Sequence, residues 1–172
     1  MAFKKNQCVT LTINDITDLG FGVGRVDGAV VFVSDTVPGD VCEVKVIKVN
    51  KTYLVGRGEK YLKRSDKRVC DRCSERTCKS CAYKNISYEY ESALKEDGVR
   101  RLFSSSALSG ISTAPITVSP SPVRYRNKAQ YPITFSDGKH RVGFFAPKSH
   151  RVTPITGHNG NFHARISLYR FR

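Results

Sequence analysis

The chain is 172 residues long, with 40% apolar residues and 29 Lys and Arg against 15 Asp and Glu, a formal net charge of +14. That apolar share supports one ordinary domain or two small ones and excludes a disordered tail, and neither a bilayer-length apolar run nor a long basic amphipathic helix points to a membrane. The cation excess points instead to a polyanionic partner, nucleic acid first.

The first sixty residues read as short strands. Val9, Leu11 and Ile13 alternate with polar neighbours, and Ala29-Val30-Val31-Phe32-Val33 is apolar enough for a buried strand. A third strand places Cys42, Val44 and Val46 on one face and Glu43 and Lys45 on the other, and Lys51-Thr52-Tyr53-Leu54-Val55-Gly56 begins a fourth. Asp27-Gly28 and Pro38-Gly39-Asp40 supply turns. This spacing predicts a five-stranded OB-like barrel. Cys8 and Cys42 sit in alternating apolar stretches and are expected as small core residues. Gly20-Phe21-Gly22-Val23-Gly24-Arg25 is not followed by a helix, which excludes a dinucleotide fingerprint. It reads as a flexible loop offering Phe21 for stacking and Arg25 for phosphate.

Cations then thicken through Arg57, Lys60, Lys63, Arg64, Lys67 and Arg68, a run expected to face an RNA backbone. It leads into four of the six cysteines, spaced Cys70-x2-Cys73-x4-Cys78-x2-Cys81. Each pair can close a tight turn with both sulfurs converging, as iron–sulfur clusters and tetrahedral zinc sites both require. Two disulfides are the alternative, but the amino terminus has no signal-peptide pattern, so a reduced cytoplasmic setting and a metal centre are expected. The four-residue gap is short for a zinc ribbon and favours a 4Fe-4S cluster, with zinc as the alternative.

After the cysteines, Tyr88 to Phe103 is predicted to be a helix: Ser87 is a plausible N-cap, Glu89 and Glu91 lie in the first turn, and Arg100 and Arg101 complement the carbonyl end. Tyr90, Leu94 and Leu102 are expected to form its packing stripe. Ser104 to Ser109 and Ser119-Pro120-Ser121-Pro122 read as loop and linker. Strands return from Val123, with a hairpin at Asp137-Gly138 before Arg141-Val142-Gly143-Phe144-Phe145. Arg124, Tyr125, Arg126, Asn127, Lys128 and Gln130 set cations beside an aromatic and amides, a mixture suited to phosphate and unpaired bases.

These motifs together resemble the amino-terminal portion of the RNA uracil-5-methyltransferase family, S-adenosylmethionine-dependent enzymes that make 5-methyluridine in 23S ribosomal RNA and transfer RNA. Residues 9 to 58 are similar to its TRAM domain, an OB-like RNA-binding barrel, in Gly20-Phe21-Gly22-Val23-Gly24-Arg25, Val31-Phe32-Val33 and Val37-Pro38-Gly39-Asp40. The cysteines with Ala82-Tyr83-Lys84-Asn85-Ile86-Ser87-Tyr88 resemble its iron–sulfur segment. Tyr125 to Pro132, Val142-Gly143-Phe144-Phe145 and Ser149-His150 resemble its central domain. The resemblance implies a mainly β chain with one helix (α+β), divided into a TRAM barrel at 1–62, a basic linker and cysteine cluster at 63–84, a partial central domain at 85–157, and a tail at 158–172 outside the family pattern. A TRAM domain favours the 23S ribosomal RNA branch.

Two departures shape the expectation. Cys73, Cys78 and Cys81 match the family's first three cluster ligands, although the first gap is one residue shorter and Lys79 and Ser80 replace the usual glycines. Where the family's fourth ligand falls, this chain reads Gly157-His158-Asn159-Gly160, so either Cys70 supplies the fourth thiolate locally, or His158 ligates, or the cluster is incomplete; Cys70 is preferred because it needs no long-range geometry. The family's Rossmann-like cofactor domain and catalytic cysteine lie beyond the central domain, and the sequence is given to Arg172. The expectation is therefore an RNA-binding, cluster-bearing portion with no S-adenosylmethionine site, inactive by itself, either truncated or completed by a separate methyltransferase-domain chain. The alternative is a free-standing RNA-binding protein with a structural zinc site.

Overall fold

The computed structural model describes residues 3–69, 81–105, 107–122, 128–146, 149–154 and 165–170. The described residues cluster into two compact units, one comprising those up to residue 69 with Ala82–Ile116, the other Cys81 with those from Thr117 onward.

In the first unit, strands β1 (Cys8–Ile16), β2 (Gly22–Val26), β3 (Ala29–Ser34), β4 (Val41–Val49) and β5 (Tyr53–Lys63) close a barrel in the order β1-β2-β3-β5-β4. Only the β3–β5 pairing is parallel within the barrel; the others are antiparallel, the five-stranded OB-like arrangement. Alternation delivers the core. Leu11 and Ile13 from β1, Val31 and Val33 from β3, Cys42, Val44 and Val46 from β4, and Leu54 from β5 pack together out of water. The all-apolar run at 29–33 is thus half-buried rather than wholly buried, with Val30 and Phe32 facing outward.

Three sequence expectations change here. Residues 22–26 are a strand, not a flexible loop, because barrel closure brings neighbours against their inward face: a Cβ on Gly22 would strike Thr36 and Ile13, and one on Gly24 would strike Leu11 and the Thr12 carbonyl. The loop that precedes them is tied down, with Thr17 N donating to Phe21 O at 2.8 Å and Phe21 N to Thr17 Oγ1 at 3.0 Å. Cys8 is exposed, since it shares the outward side of β1 with Thr10 and Thr12. The turns behave as their residues require: Asp27 and Gly28 carry φ of 46° and 81°, the left-handed pair of a tight hairpin.

Helix α1 (Tyr88–Ser104) starts at Ser87, whose hydroxyl accepts from Tyr90 N at 3.1 Å. It includes Ser104, placed in the loop by the sequence reading. Its buried residue is Ser92, and Leu102 is 65% exposed instead of joining a packing stripe. Eight residues beyond Leu94 the helix has turned roughly 80° away from the Tyr90–Leu94 line. Polar contacts join α1 to the rest of its unit: Arg101 Nη1 reaches Asp15 Oδ2 at 3.2 Å, and Lys67 Nζ lies 4.7 Å from the centre of the Tyr90 ring.

The second unit is a four-stranded sheet ordered β8 (Val152–Pro154), β7 (Lys139–Phe145), β6 (Lys128–Ser136) and β9 (Arg165–Arg170), with β6 and β9 parallel. Asp137 and Gly138, at φ of 54° and 71°, make the β6–β7 hairpin turn. Tyr131 is buried against Val142 and Phe144, its ring edge-on to Phe144 at 5.2 Å. Among the described residues no helix is long and apolar enough to cross a membrane.

Candidate nucleic-acid interface

The registers of β2, β3 and β5 assemble a surface on the outside of the barrel. Arg25 pairs with Val30 and Val30 with Tyr53; one step along, Val23 pairs with Phe32 and Phe32 with Val55. Directly opposed residues project to the same side of a sheet, so Arg25, Phe32 and Tyr53 share one face. The Phe32 and Tyr53 rings meet edge to face at 5.4 Å and 76°, and Tyr53 remains 37% exposed. Lys51, exposed in the turn that Asn50 N closes on Tyr53 O at 2.9 Å, borders the pair. Phe21, 37% exposed, sits just ahead of β2. An aromatic step bordered by Arg25 and Lys51 can stack a base and hold its phosphate.

The basic run is less available than its sequence suggests. Arg57 forks onto Glu59 through Nε at 3.1 Å and Nη2 at 2.8 Å, and this hydrogen bond holds the Glu59 carboxyl below the usual range. Arg64 lies over the Tyr61 ring at 5.0 Å. Arg68 does not face solvent. Its Nη2 meets Asp40 Oδ2 at 2.5 Å and the Asp35 carbonyl at 3.0 Å, and its side chain is mostly buried.

Asp40, fully buried, also accepts Val37 N and Ser65 N at 2.9 Å each, so one carboxylate joins the β3–β4 turn to the chain after β5. Ser65 Oγ adds a bond to the Pro38 carbonyl at 2.6 Å. Immediately beyond, Arg68 bridges to Ile86 and Val69 N donates to Asn85 O at 3.0 Å, so the chain leaves and re-enters at one point. The cysteine segment lies between these ends. Cys70, Cys73 and Cys78 are outside the described residues; Cys81 is exposed.

Of the other nominated residues, Arg124, Tyr125, Arg126 and Asn127 lie outside the described residues, as does His158. Lys128 begins β6, and Gln130 is exposed on it. Phe32, Tyr53 and Lys51 were missed as a group because they come from separate strands and a turn; the signal available was the outward phase of the alternation at 30, 32, 53 and 55. Asp40 carried no signal beyond its place in a Pro-Gly-Asp turn.

Residues 2–57 match the TRAM domain model. The chain is 35% identical over 154 residues to an uncharacterized RNA methyltransferase of Listeria monocytogenes, covering 89% of this chain and 34% of that protein. It is 34% identical over 150 residues to one from Oceanobacillus iheyensis, covering 87% of this chain and 32% of that protein. The solution structure of a conserved Methanococcus maripaludis protein is 32% identical, covering 33% of this chain and 81% of that one, with a TM-score of 0.32. The chain thus spans about a third of the length of the curated relatives it matches. It carries a TRAM domain at residues 2–57 and, over most of its own length, is similar to RNA methyltransferases.

Proposed function

We propose that this chain is the RNA-binding and iron–sulfur portion of an S-adenosylmethionine-dependent 23S rRNA (uracil-5-)-methyltransferase acting in the cytoplasm. The observation that carries the RNA reading is the Arg25, Phe32, Tyr53 face of the TRAM barrel, bordered by Lys51. Aromatic faces take any base and cations take the backbone, so such a face secures a strand while leaving target choice to other contacts. Methyl transfer is proposed for the whole protein, of which relatives share about a third with this chain.

Anisotropy with a labelled single-stranded RNA tests the face. Tyr53→Ala is expected to cost about 1–3 kcal/mol with the salt dependence unchanged, the signature of lost stacking. Arg25→Ala should weaken binding and lower the salt slope by about one. If Lys4→Ala costs as much as either, only diffuse electrostatics operates and the face has no role.

The cluster reading rests on the donor set, with Cys70 proposed as the fourth thiolate beside Cys73, Cys78 and Cys81. Anaerobically purified protein is expected to be brown and to contain iron and acid-labile sulfide, with Cys78→Ser and Cys81→Ser bleaching it. Colourless protein with one equivalent of zinc would establish the alternative of a zinc-stabilised RNA-binding protein. Retention of full iron content by Cys70→Ser would move the fourth ligand elsewhere.

A further inference from the structure

The sheet of the second unit has two chemically distinct faces. Ile133 pairs with Val142, and with Tyr131 and Phe144 they make the apolar side. Thr134 pairs with Arg141, and Ser136 with Lys139, on the other. On β6, residues two apart share a side, so Gln130 belongs with Thr134 and Ser136. A cleft of about 500 Å3 opens on this polar side, lined by Thr134, Ser136, Asp137, Arg141, His150 and Arg151 among others.

The groups around this cleft suit a phosphodiester. Arg141 is held by Asp137 Oδ2 through Nη2 at 2.8 Å, an exposed pair that orients the guanidinium; among the described residues its Nε and Nη1 have no acceptor. Among the described residues Arg151 has no carboxylate partner, and its backbone N donates to Ser149 Oγ at 3.3 Å, which braces the loop carrying it. Ser149 Oγ in turn donates to the Ala146 carbonyl at 3.2 Å. His150 is set edge-on to the 40%-exposed Phe145 ring at 5.9 Å and 81°. Two guanidiniums supply charge and forked donors, Thr134 a hydroxyl, and the His150–Phe145 pair an aromatic step beside them.

We propose that this cleft is a second RNA contact site, distinct from the barrel face, in which Arg141 and Arg151 grip one or two backbone phosphates while His150 and Phe145 abut the adjoining base or sugar. The occupant is RNA because two cations, hydroxyls and an exposed aromatic pair converge on a face that also carries Gln130, in a chain of net charge +14. The inference rests on the RNA-binding reading of the chain and adds a site to it.

The test uses the full chain and a fluorescein-labelled single-stranded RNA titrated at several salt concentrations. Arg141→Ala with Arg151→Ala is expected to weaken binding about tenfold or more and to lower the salt slope by about two, while Lys4→Ala with Lys5→Ala, which removes the same charge elsewhere, weakens it far less. His150→Ala should weaken binding a few-fold with the slope unchanged. As a measurement independent of variant folding, 4-thiouridine RNA should crosslink to the peptide containing Phe145 and His150. Equal losses for the two double variants together with no crosslink there overturn this site and leave the barrel reading standing. Failure of the unsubstituted chain to bind RNA removes both.

Discussion

Replacing Asp40 with alanine is expected to destabilise the protein by about 3–5 kcal/mol, because Arg68 then stays largely buried with its charge uncompensated. The same change strips Val37 N and Ser65 N of their acceptor. Arg68 Nε already has no partner among the described residues, so its guanidinium depends on Asp40 and the Asp35 carbonyl. Arg68→Met should cost less, since Asp40 would keep its two backbone donors and the methionine would fill the space over Tyr61, where the guanidinium now lies 5.1 Å from the ring centre. Urea unfolding followed by circular dichroism measures both. Hydrogen exchange in the Asp40 variant should accelerate first at Ser65 to Val69, the segment the carboxylate anchors. A loss below about 1 kcal/mol for Asp40→Ala would mean that the pair is not buried in solution.

The second large effect is expected in alkali. Cys42 is fully buried in the barrel core, and burial, with the Asp40 carboxylate adding to it and Arg68 opposing, pushes its thiol from 9.0 up to about 11. The unfolded chain therefore loses this proton at lower pH than the folded chain does. Its contribution to stability is complete below about pH 9 and is lost as pH rises through 11, a fall of about 2–3 kcal/mol. The Tyr61 phenol, also raised by burial, acts in the same direction. Cys42→Ala should flatten the decline between these limits while lowering stability at neutral pH through lost packing. In the native protein iodoacetamide at pH 8 should modify exposed Cys8 and spare Cys42. An unchanged decline in the alanine variant would remove Cys42 as its source.

Much of the barrel was legible because its instructions are local. Period-two alternation on β1 and β4 needs no knowledge of the partner strand to show which side is apolar, and Asp-Gly turns carry their own backbone preference. Ser87 and the acidic first turn marked α1 for the same reason.

What the alternation could not reveal was which strands would meet. Gly20 to Arg25 looked like a loop because three glycines are poor strand formers in isolation, and only closure against Ile13, Leu11 and Thr36 makes a side chain at 22 or 24 impossible. The binding face followed the same rule: Arg25, Phe32 and Tyr53 are as much as 28 residues apart and become neighbours through the parallel β3–β5 register. Arg68 shows the converse. In the sequence it is one cation in a basic run, and its burial depends on a carboxylate 28 residues earlier being inside the turn it reaches. The faces of β1 and β4, the turns and the helix cap are properties of contiguous residues and can be read without the fold. The tertiary structure decided which cations remain for RNA and which are spent inside, because pairing and desolvation depend on partners that only the closed barrel and folded sheet bring together.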